Sequence, residues 1–317
     1  MRKTLLALLL VVGACSPADT AETITSTSGD TSSTNTAPPS TQAPSTTSGA
    51  PPPSTQTTTE ATTTTTTGLL EGTWADLPLI TTGFGAIGWW DGSGWRDAAT
   101  EGELPVSGGE DYQVTDVDEL GRTTGGPQTT VCEPLDLVGV ELEDSDLLGS
   151  YPGPYGVAIS APWALQPHVF EAIADDGSYA GFASELLSAR GMDVPEPTIK
   201  QLFRTDLEGD GVNEVLVVAE DVTQGLLLEP GDYSIAFMRK VVDGDVQTVI
   251  LEETMVFDEQ DRFAGAHSFG GAADLNDDGR MELIVGSAFF EGFNVAVWEY
   301  ANDDLGAVQV LLTGCGS

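Results

Sequence analysis

Short apolar runs separated by turn residues fill the chain from residue 198 onwards and predict β-strands. "TIKQLFRTDL" and "EVLVVAEDV" flank one acidic turn, and "DYSIAFMRKVVDGDVQTVILEETMV" then predicts a hairpin that turns at Asp243-Gly244. The same order recurs in "SFGGAADL", "MELIVGSAFF" and "NVAVWEYANDDLGAVQVLLTG", with a turn near Asn302-Asp303. Each copy therefore predicts a four-stranded antiparallel unit.

The segment before these two copies predicts one helix and further strands. In "SYAGFASELLSARG", apolar residues recur at intervals of three and four, and Gly191 stands where a helix would end. Residues 68 to about 146 are β-rich in pattern, with two short strands expected around the turn Asp91-Gly92-Ser93-Gly94.

These patterns together predict the fold class. We expect a mainly β protein with two or three four-stranded, blade-like units and one or two helices. A closed propeller usually needs four or more blades, so an incomplete propeller or a set of packed sheets is the expected architecture.

The N-terminus has the features of an export signal. Basic residues at Arg2 and Lys3 precede a short apolar run, which ends in "VGAC" at Cys15. This ending resembles the bacterial lipobox, which implies cleavage before Cys15 and attachment of diacylglycerol to it. The alternative is an ordinary secretory signal with an incidental cysteine.

A long polar segment follows the signal. Residues 16–67 are almost entirely Thr, Ser, Pro, Ala and Gly, a composition with too little apolar surface to offset the entropy cost of folding. It resembles the stalks of actinobacterial lipoproteins. The expected organisation is a signal peptide at 1–14, a lipidated stalk at 15–67, a β-rich segment at 68–160, and a helix with two repeats at 161–317. The expected location is the outer face of a bacterial cytoplasmic membrane, or the cell surface.

The chain is strongly acidic, with a formal net charge of −39 from 50 acidic and 11 basic residues. Four acidic and two basic residues lie in the first 67, which leaves 46 acidic against 9 basic residues in the body. Such a charge argues against binding to nucleic acid or to an anionic membrane surface, and it favours cations. A solvated acidic surface is the alternative explanation for most of it.

Two of the three cysteines lie in the exported body. If Cys15 carries lipid, Cys132 and Cys315 form an even pair outside the cytoplasm, where a disulfide is expected. Two free thiols are the alternative.

Two acidic loops repeat one pattern at an interval of 68 residues. "DLEGDGVNE" starts at Asp206 and "DLNDDGRME" starts at Asp274, and both carry oxygen-bearing side chains at positions one, three, five and nine with glycine at position six. Calcium prefers six to eight such oxygen ligands. The candidate ligands are Asp206, Glu208, Asp210, the backbone carbonyl of Val212 and Glu214 in the first loop, and Asp274, Asn276, Asp278, the carbonyl of Arg280 and Glu282 in the second.

These loops and their flanking strands resemble the FG-GAP or VCBS-type repeats of integrin-like β-propellers. The resemblance covers residues 198 to about 312 and implies calcium bound between the first two strands of each unit. Glu208 departs from the usual Asp or Asn at position three, and the FG and GAP elements are reduced to "FAGA" and "SFGGAADL". An EF-hand is excluded because position twelve is valine in both loops. The alternative is two purely structural turns.

Other motifs are weaker. "GFGAIG" fits the dinucleotide fingerprint but leads into a strand and a turn rather than a helix. Trp89 and Trp90 should face opposite sides of their strand. These two residues and Trp95 are interpreted as core or sheet-covering residues, and carbohydrate stacking is the less favoured alternative. His168 and His267 lack the spacing of a zinc or catalytic site and are expected to be structural. "DVDELGRTT" from Asp116 is a defective copy of the acidic pattern and is interpreted as a turn.

The function expected from the sequence is that of a membrane-anchored extracytoplasmic calcium-binding β-repeat protein with a binding or structural role at the cell envelope. Its expected partners are the membrane, through the lipid, and an envelope glycan or protein. The alternative is a secreted hydrolase or lyase acting on glycans, with the repeats as scaffold. Enzyme activity is the less favoured reading, and no catalytic residue stands out.

Overall fold

The structure is a computed structural model. It describes residues 77–115, 117, 120–133, 135–148, 156–165, 170–175, 177–222, 227–261, 263–300 and 306–316. These residues form three antiparallel sheets with little helix, so the prediction of a mainly β fold is confirmed. The expected signal peptide, Cys15, the stalk, His168 and the Asn302-Asp303 turn lie outside the described residues.

The first sheet has seven strands and is built from the N-terminal segment. In spatial order it runs β3-β2-β1-β7-β4-β5-β6. The strands are β1 Leu79–Thr82, β2 Gly85–Trp90, β3 Trp95–Asp97, β4 Asp111–Thr115, β5 Leu120–Val131, β6 Leu137–Leu142 and β7 Val157–Ile159. This segment is therefore one large sheet and not a third four-stranded unit.

The long strand β5 explains why the first sheet curls. Its first half pairs with β4 and its second half pairs with β6, with an irregularity in register between Gly125 and Gln128. At Gly125 an added Cβ would lie 2.4 Å from the ring of Tyr112, so only glycine permits this close approach. A short helix, α1 Ala98–Glu101, and a 3₁₀ helix, Ser145–Leu148, add residues to the core on one face of the sheet.

The other two sheets are the predicted repeats. The second sheet runs β12-β11-β10-β9-β8 and the third runs β13-β14-β15-β16. Their strands are β8 Glu171–Ala172, β9 Ile199–Thr205, β10 Glu214–Asp221, β11 Tyr233–Val242, β12 Asp245–Met255, β13 Ala266–Ala273, β14 Glu282–Phe289, β15 Gly292–Tyr300 and β16 Ala307–Gly316. Each repeat is a four-stranded meander, as predicted, and β8 adds a short fifth strand to the first repeat. The β11–β12 hairpin turns at Asp243 and Gly244, whose φ angles are 54° and 88°.

The sheets stack face to face like neighbouring blades. One core lies between the second and third sheets and includes Leu216, Met238 and Leu283. Another lies between the third and first sheets and includes Ile87 and Val297. The third sheet is therefore the middle layer, with apolar residues buried on both faces.

The predicted helix covers the outer face of the second sheet. Helix α2, Ser178–Ala189, buries Leu186 and Leu187 in a core that also contains Phe237. The helix ends as predicted, because Gly191 has a φ of +91° and its N–H bonds back to the carbonyl of Ser188. Helix α2 covers the apolar face of the second sheet on which a further blade would pack. The stack of sheets therefore ends here and does not continue as a propeller.

A disulfide joins the first and third sheets. Cys132, directly after β5, and Cys315, in β16, are bonded, with their Cα atoms 5.8 Å apart. In the described part of the chain, no helix has both the length and the apolarity needed to cross a membrane.

The tryptophans follow the predicted alternation. Trp89 is fully buried, whereas Trp90 is half-buried on the opposite face and packs edge-on against Trp95 at 5.2 Å between ring centroids. The Trp95 indole N–H donates to the carboxylate of Glu299 at 2.9 Å, which ties the edge of the first sheet to the third. The "GFGAIG" motif contributes to strand β2 and precedes no helix, as expected.

Candidate metal-binding loops

Both acidic loops connect the first two consecutive strands of a repeat. The first runs from Asp206, which follows β9, to Glu214, which opens β10. The second runs from Asp274, which follows β13, to Glu282, which opens β14. This is the position that the sequence predicts for them.

The first residue of each loop organises the backbone that follows it. The two carboxylate oxygens of Asp206 accept N–H bonds from Asp210 at 3.1 Å and Gly211 at 2.8 Å. Those of Asp274 accept from Asp278 at 3.1 Å and Gly279 at 3.0 Å. Each aspartate therefore holds the turn closed around its own carboxylate.

The last residue of each loop reaches back to the second. A Glu214 carboxylate oxygen accepts the N–H of Leu207 at 2.9 Å, and a Glu282 oxygen accepts the N–H of Leu275 at 2.7 Å. Both leucines are fully buried and anchor the loop to the core. The glutamate at position nine therefore has a structural role. The sequence analysis predicted it only as a metal ligand.

Position five completes the shared pattern. One oxygen of Asp210 accepts the N–H of Val212 at 2.7 Å, and one oxygen of Asp278 accepts the N–H of Arg280 at 2.8 Å. In the second loop the Asn276 side chain adds a bond from the N–H of Asp278 at 3.0 Å. The two loops therefore repeat four hydrogen bonds residue for residue.

The loops also share two left-handed backbone positions. Gly211 and Gly279 at position six have φ angles of +86° and +85°. Position four is also left-handed, with φ of +70° at Gly209 and +60° at Asp277. The sequence analysis identified only position six as a turn position. Position four could also have been predicted, because Gly and Asp are among the residues that adopt the left-handed conformation most readily.

The last carboxylate of each loop lies where charge is poorly solvated. Glu282 is 1% exposed, and burial, reinforced by the charges of Asp278 and Asp274, raises its pKa to about 9. Burial, with the charges of Glu208 and Asp206, raises the pKa of Glu214 to about 7. A cation close to either carboxylate would favour its ionised form.

The donor chemistry of the loops fits calcium. The side-chain oxygens are carboxylates and one amide, which are the hard ligands that calcium prefers, and the carbonyls of Val212 and Arg280 follow at position seven. Among the described residues, however, no three His, Cys, Asp or Glu side chains gather closely enough to hold a metal ion. Backbone N–H donors occupy carboxylate oxygens in both loops, and each such oxygen retains a second lone pair for a cation.

The two loops differ in burial. Asp274 and Asn276 are buried, at 7% and 8% exposed. Asp206 and Glu208 are half-buried, and Asp210 is exposed. The Trp163 indole N–H donates to the carbonyl of Asp274 at 2.9 Å, which fixes the start of the second loop. The second loop is therefore the more rigidly supported of the two.

His267 is a structural residue, as the sequence predicts. Its two ring nitrogens lie 3.0 Å from the Thr254 hydroxyl and 2.8 Å from the Ser287 hydroxyl, and its backbone N–H donates to the Ser234 hydroxyl at 2.8 Å. These bonds join the second and third sheets. Burial lowers the pKa of His267 to about 4, so the ring is neutral at physiological pH.

A cavity in the first sheet offers no acid pair of the glycosidase type. It has a volume of about 360 Å³ and is lined by Gln113, Val114, Gly121, Arg122 and Leu165. None of these five residues carries a carboxyl group. The cavity therefore gives no support to glycan hydrolysis by paired carboxylates.

Comparisons with known protein families, with curated proteins and with solved structures find no match to this chain. The resemblance to FG-GAP or VCBS-type repeats accordingly rests on the loop pattern and on its position in a four-stranded unit.

Proposed function

We propose that the protein is an extracytoplasmic, lipid-anchored β-repeat protein whose fold is stabilised by calcium and which serves a binding or structural role at a bacterial cell envelope. The observation that carries this proposal is the hydrogen-bonded loop that occurs twice. Each copy confines three or four acidic side chains to nine residues between two strands of a packed sheet.

Calcium would act by removing a repulsion that the fold itself creates. The Glu282 carboxylate is buried close to two further acidic side chains, and ionising it there without a counter-charge is unfavourable. A divalent ion held by the side chains of Asp274, Asn276, Asp278 and Glu282 and the carbonyl of Arg280 would supply that charge. The same residues hold the ends of β13 and β14 together, so binding would stabilise the sheet.

The expected affinity is that of an extracellular module. Such modules bind calcium at about 0.1 to 1 mM. At a concentration about a hundred times the Kd, one bound ion adds about 2.7 kcal/mol to the free energy of unfolding. Single domains have total stabilities of about 5–15 kcal/mol, so this contribution is large.

The anchoring part of the proposal comes from the N-terminal residues. A lipid on Cys15 and the 52 residues from 16 to 67 would hold the folded body away from the bilayer. The body's excess of acidic residues would keep it from lying on anionic lipids. An envelope glycan or protein is the class of ligand that such a display suits.

Calorimetric titration of the chelator-treated full chain with calcium tests the proposal. We expect saturable binding in the millimolar range, and much weaker binding of magnesium, because magnesium requires a tighter octahedral set of ligands. The absence of calcium binding at millimolar concentration would show that the loops are structural turns.

A further inference from the structure

A buried lysine lies beside the first acidic loop. Lys240, in β11, is 1% exposed, and its ammonium nitrogen is 5.3 Å from the ring centroid of Tyr300, which is itself 2% exposed. Lysine is almost never fully buried unless it is paired with an anion or a hydrogen-bonding group. The position of this ammonium therefore calls for negative charge nearby.

The strand register places Lys240 at the loop end of the second sheet. Val215 in β10 pairs with Arg239 in β11, and Lys240 is one residue closer to the first loop. Alternation along β11 puts Lys240 on the same face as Met238, which packs towards the third sheet. The ammonium thus lies between the two repeats, beneath the first loop.

Glu214, the last residue of the first loop, lies opposite Lys240. The register that pairs Val215 with Arg239 places these two residues directly across from each other, so their side chains share one face of the sheet. Glu214 is 2% exposed, so both members of this cross-strand pair are buried. A protein cation and a carboxylate of the first loop are therefore cross-strand neighbours.

The second repeat has the opposite charge at the equivalent position. Leu283 pairs with Trp298 just as Val215 pairs with Arg239, so Glu299 corresponds to Lys240. The Glu299 carboxylate accepts the Trp95 indole N–H and is directed towards the first sheet. At the position of Lys240, the second repeat therefore has a carboxylate and not an ammonium group.

We propose that the Lys240 ammonium is a built-in counter-ion of the first loop, so that the chain binds a single calcium ion, in the second loop. The inference rests on the proposed calcium binding and restricts it to one site. Glu208 at position three suits this arrangement, because it gives the first loop a fourth carboxylate where the second loop has the uncharged Asn276. The first loop keeps the fold of a calcium loop and uses a lysine in place of the ion.

A matched pair of loop variants tests the assignment. Asp278→Asn and Asp210→Asn change the same position in the two loops, and both residues are exposed, so both variants should fold. In calorimetric titrations of the full chain, the wild type should bind one calcium ion. Asp278→Asn should abolish the binding heat, and Asp210→Asn should leave stoichiometry and affinity unchanged. Loss of binding in Asp210→Asn with retention in Asp278→Asn would overturn the assignment.

The lysine itself is tested by Lys240→Met, with Lys200→Met as control, since Lys200 is an exposed lysine of the same sheet. Removing the ammonium should create a second calcium site and raise the stoichiometry to two, whereas the control should still bind one ion. If Lys240→Met folds and stays at one ion, Lys240 is not a counter-ion. If it does not fold without calcium, recovery of the folded state by calcium supports the inference, and failure to recover contradicts it.

The result for the wild type separates this inference from the proposed function. Two equivalent sites in the wild type would contradict the counter-ion role and leave calcium binding established. No binding by any of the proteins would overturn both.

Discussion

The backbone N–H of Met281 donates a 3.0 Å hydrogen bond to the carbonyl oxygen of Leu207. Leu207 is the second residue of the first acidic loop, and Met281 is the eighth residue of the second. Both side chains are buried in the core between the two repeats. The loops are therefore joined through their backbones, and an ion that ordered the second loop would also stabilise the end of the first repeat.

The disulfide should contribute strongly to stability. It closes a sequence separation of 183 residues, for which the chain-entropy model gives at most about 5 kcal/mol. The double variant Cys132→Ser, Cys315→Ser should lower the midpoint of urea unfolding, and reductant should have the same effect on the wild type but none on the variant. Two thiols that react with an alkylating agent in the native exported protein would contradict the bond.

His267 should make the protein sensitive to acid. Its pKa is lowered to about 4 in the folded state, against about 6.5 in an unfolded chain. The folded state therefore binds fewer protons, and the stability present above pH 6.5 is lost as the pH falls towards 4, by about 3 kcal/mol. The hydrogen-bond partners of the ring, Thr254 and Ser287, are uncharged hydroxyls and cannot offset an added proton with negative charge.

Comparison with His267→Gln isolates this effect from the titration of the buried carboxyls. The difference in unfolding free energy between wild type and variant should shrink as the pH is lowered from 7 to 4. A difference that is independent of pH would show that His267 does not titrate in this range.

The left-handed glycine of the second loop should resist substitution. Gly279 has a φ of +85° and no atom near an added Cβ, so the cost of Gly279→Ala comes from the backbone alone and is about 1–2 kcal/mol. Gly181→Ala, in helix α2 and equally free of contacts, is the control and should gain about 1 kcal/mol. Chemical denaturation measures both. Equal effects would mean that the loop does not keep this conformation.

The lipid anchor is tested by Cys15→Ser. The variant should lose lipid labelling and should be released from the membrane fraction or remain unprocessed. Replacing the neighbouring Ser16 by Ala is a suitable control and should leave labelling unchanged. Equal membrane retention of the Cys15 variant and the wild type would contradict the lipobox interpretation.

The repeats could be predicted from the sequence because their structure is local. In β9 to β12 and in β13 to β16, each strand pairs with the next one along the chain, and the turn residues Asp243 and Gly244 mark a hairpin directly. The end of α2 at Gly191 follows from the same kind of local chemistry. The repeated acidic pattern likewise indicated two similar loops, each joining the first two strands of its repeat.

Features that depend on distant contacts could not be predicted in this way. Strand β7 has three residues, and nothing in its sequence indicates that it lies between β1 and β4. The stacking order, with the last repeat in the middle, is set by which apolar faces meet. The burial of Lys240 could have been predicted from the sequence. It follows Ala236 and Met238 at every second position of the strand and therefore lies on the same buried face.

Thermal unfolding of the full chain in calcium and in chelator tests the central claim most directly. We expect the melting temperature to rise with calcium up to millimolar concentration, to fall in chelator, and to respond little to magnesium. Asp278→Asn should remove most of the calcium response, and Glu208→Gln should remove little of it. A melting temperature that is the same in calcium and in chelator would contradict the account, because the two acidic loops would then be turns that need no ion.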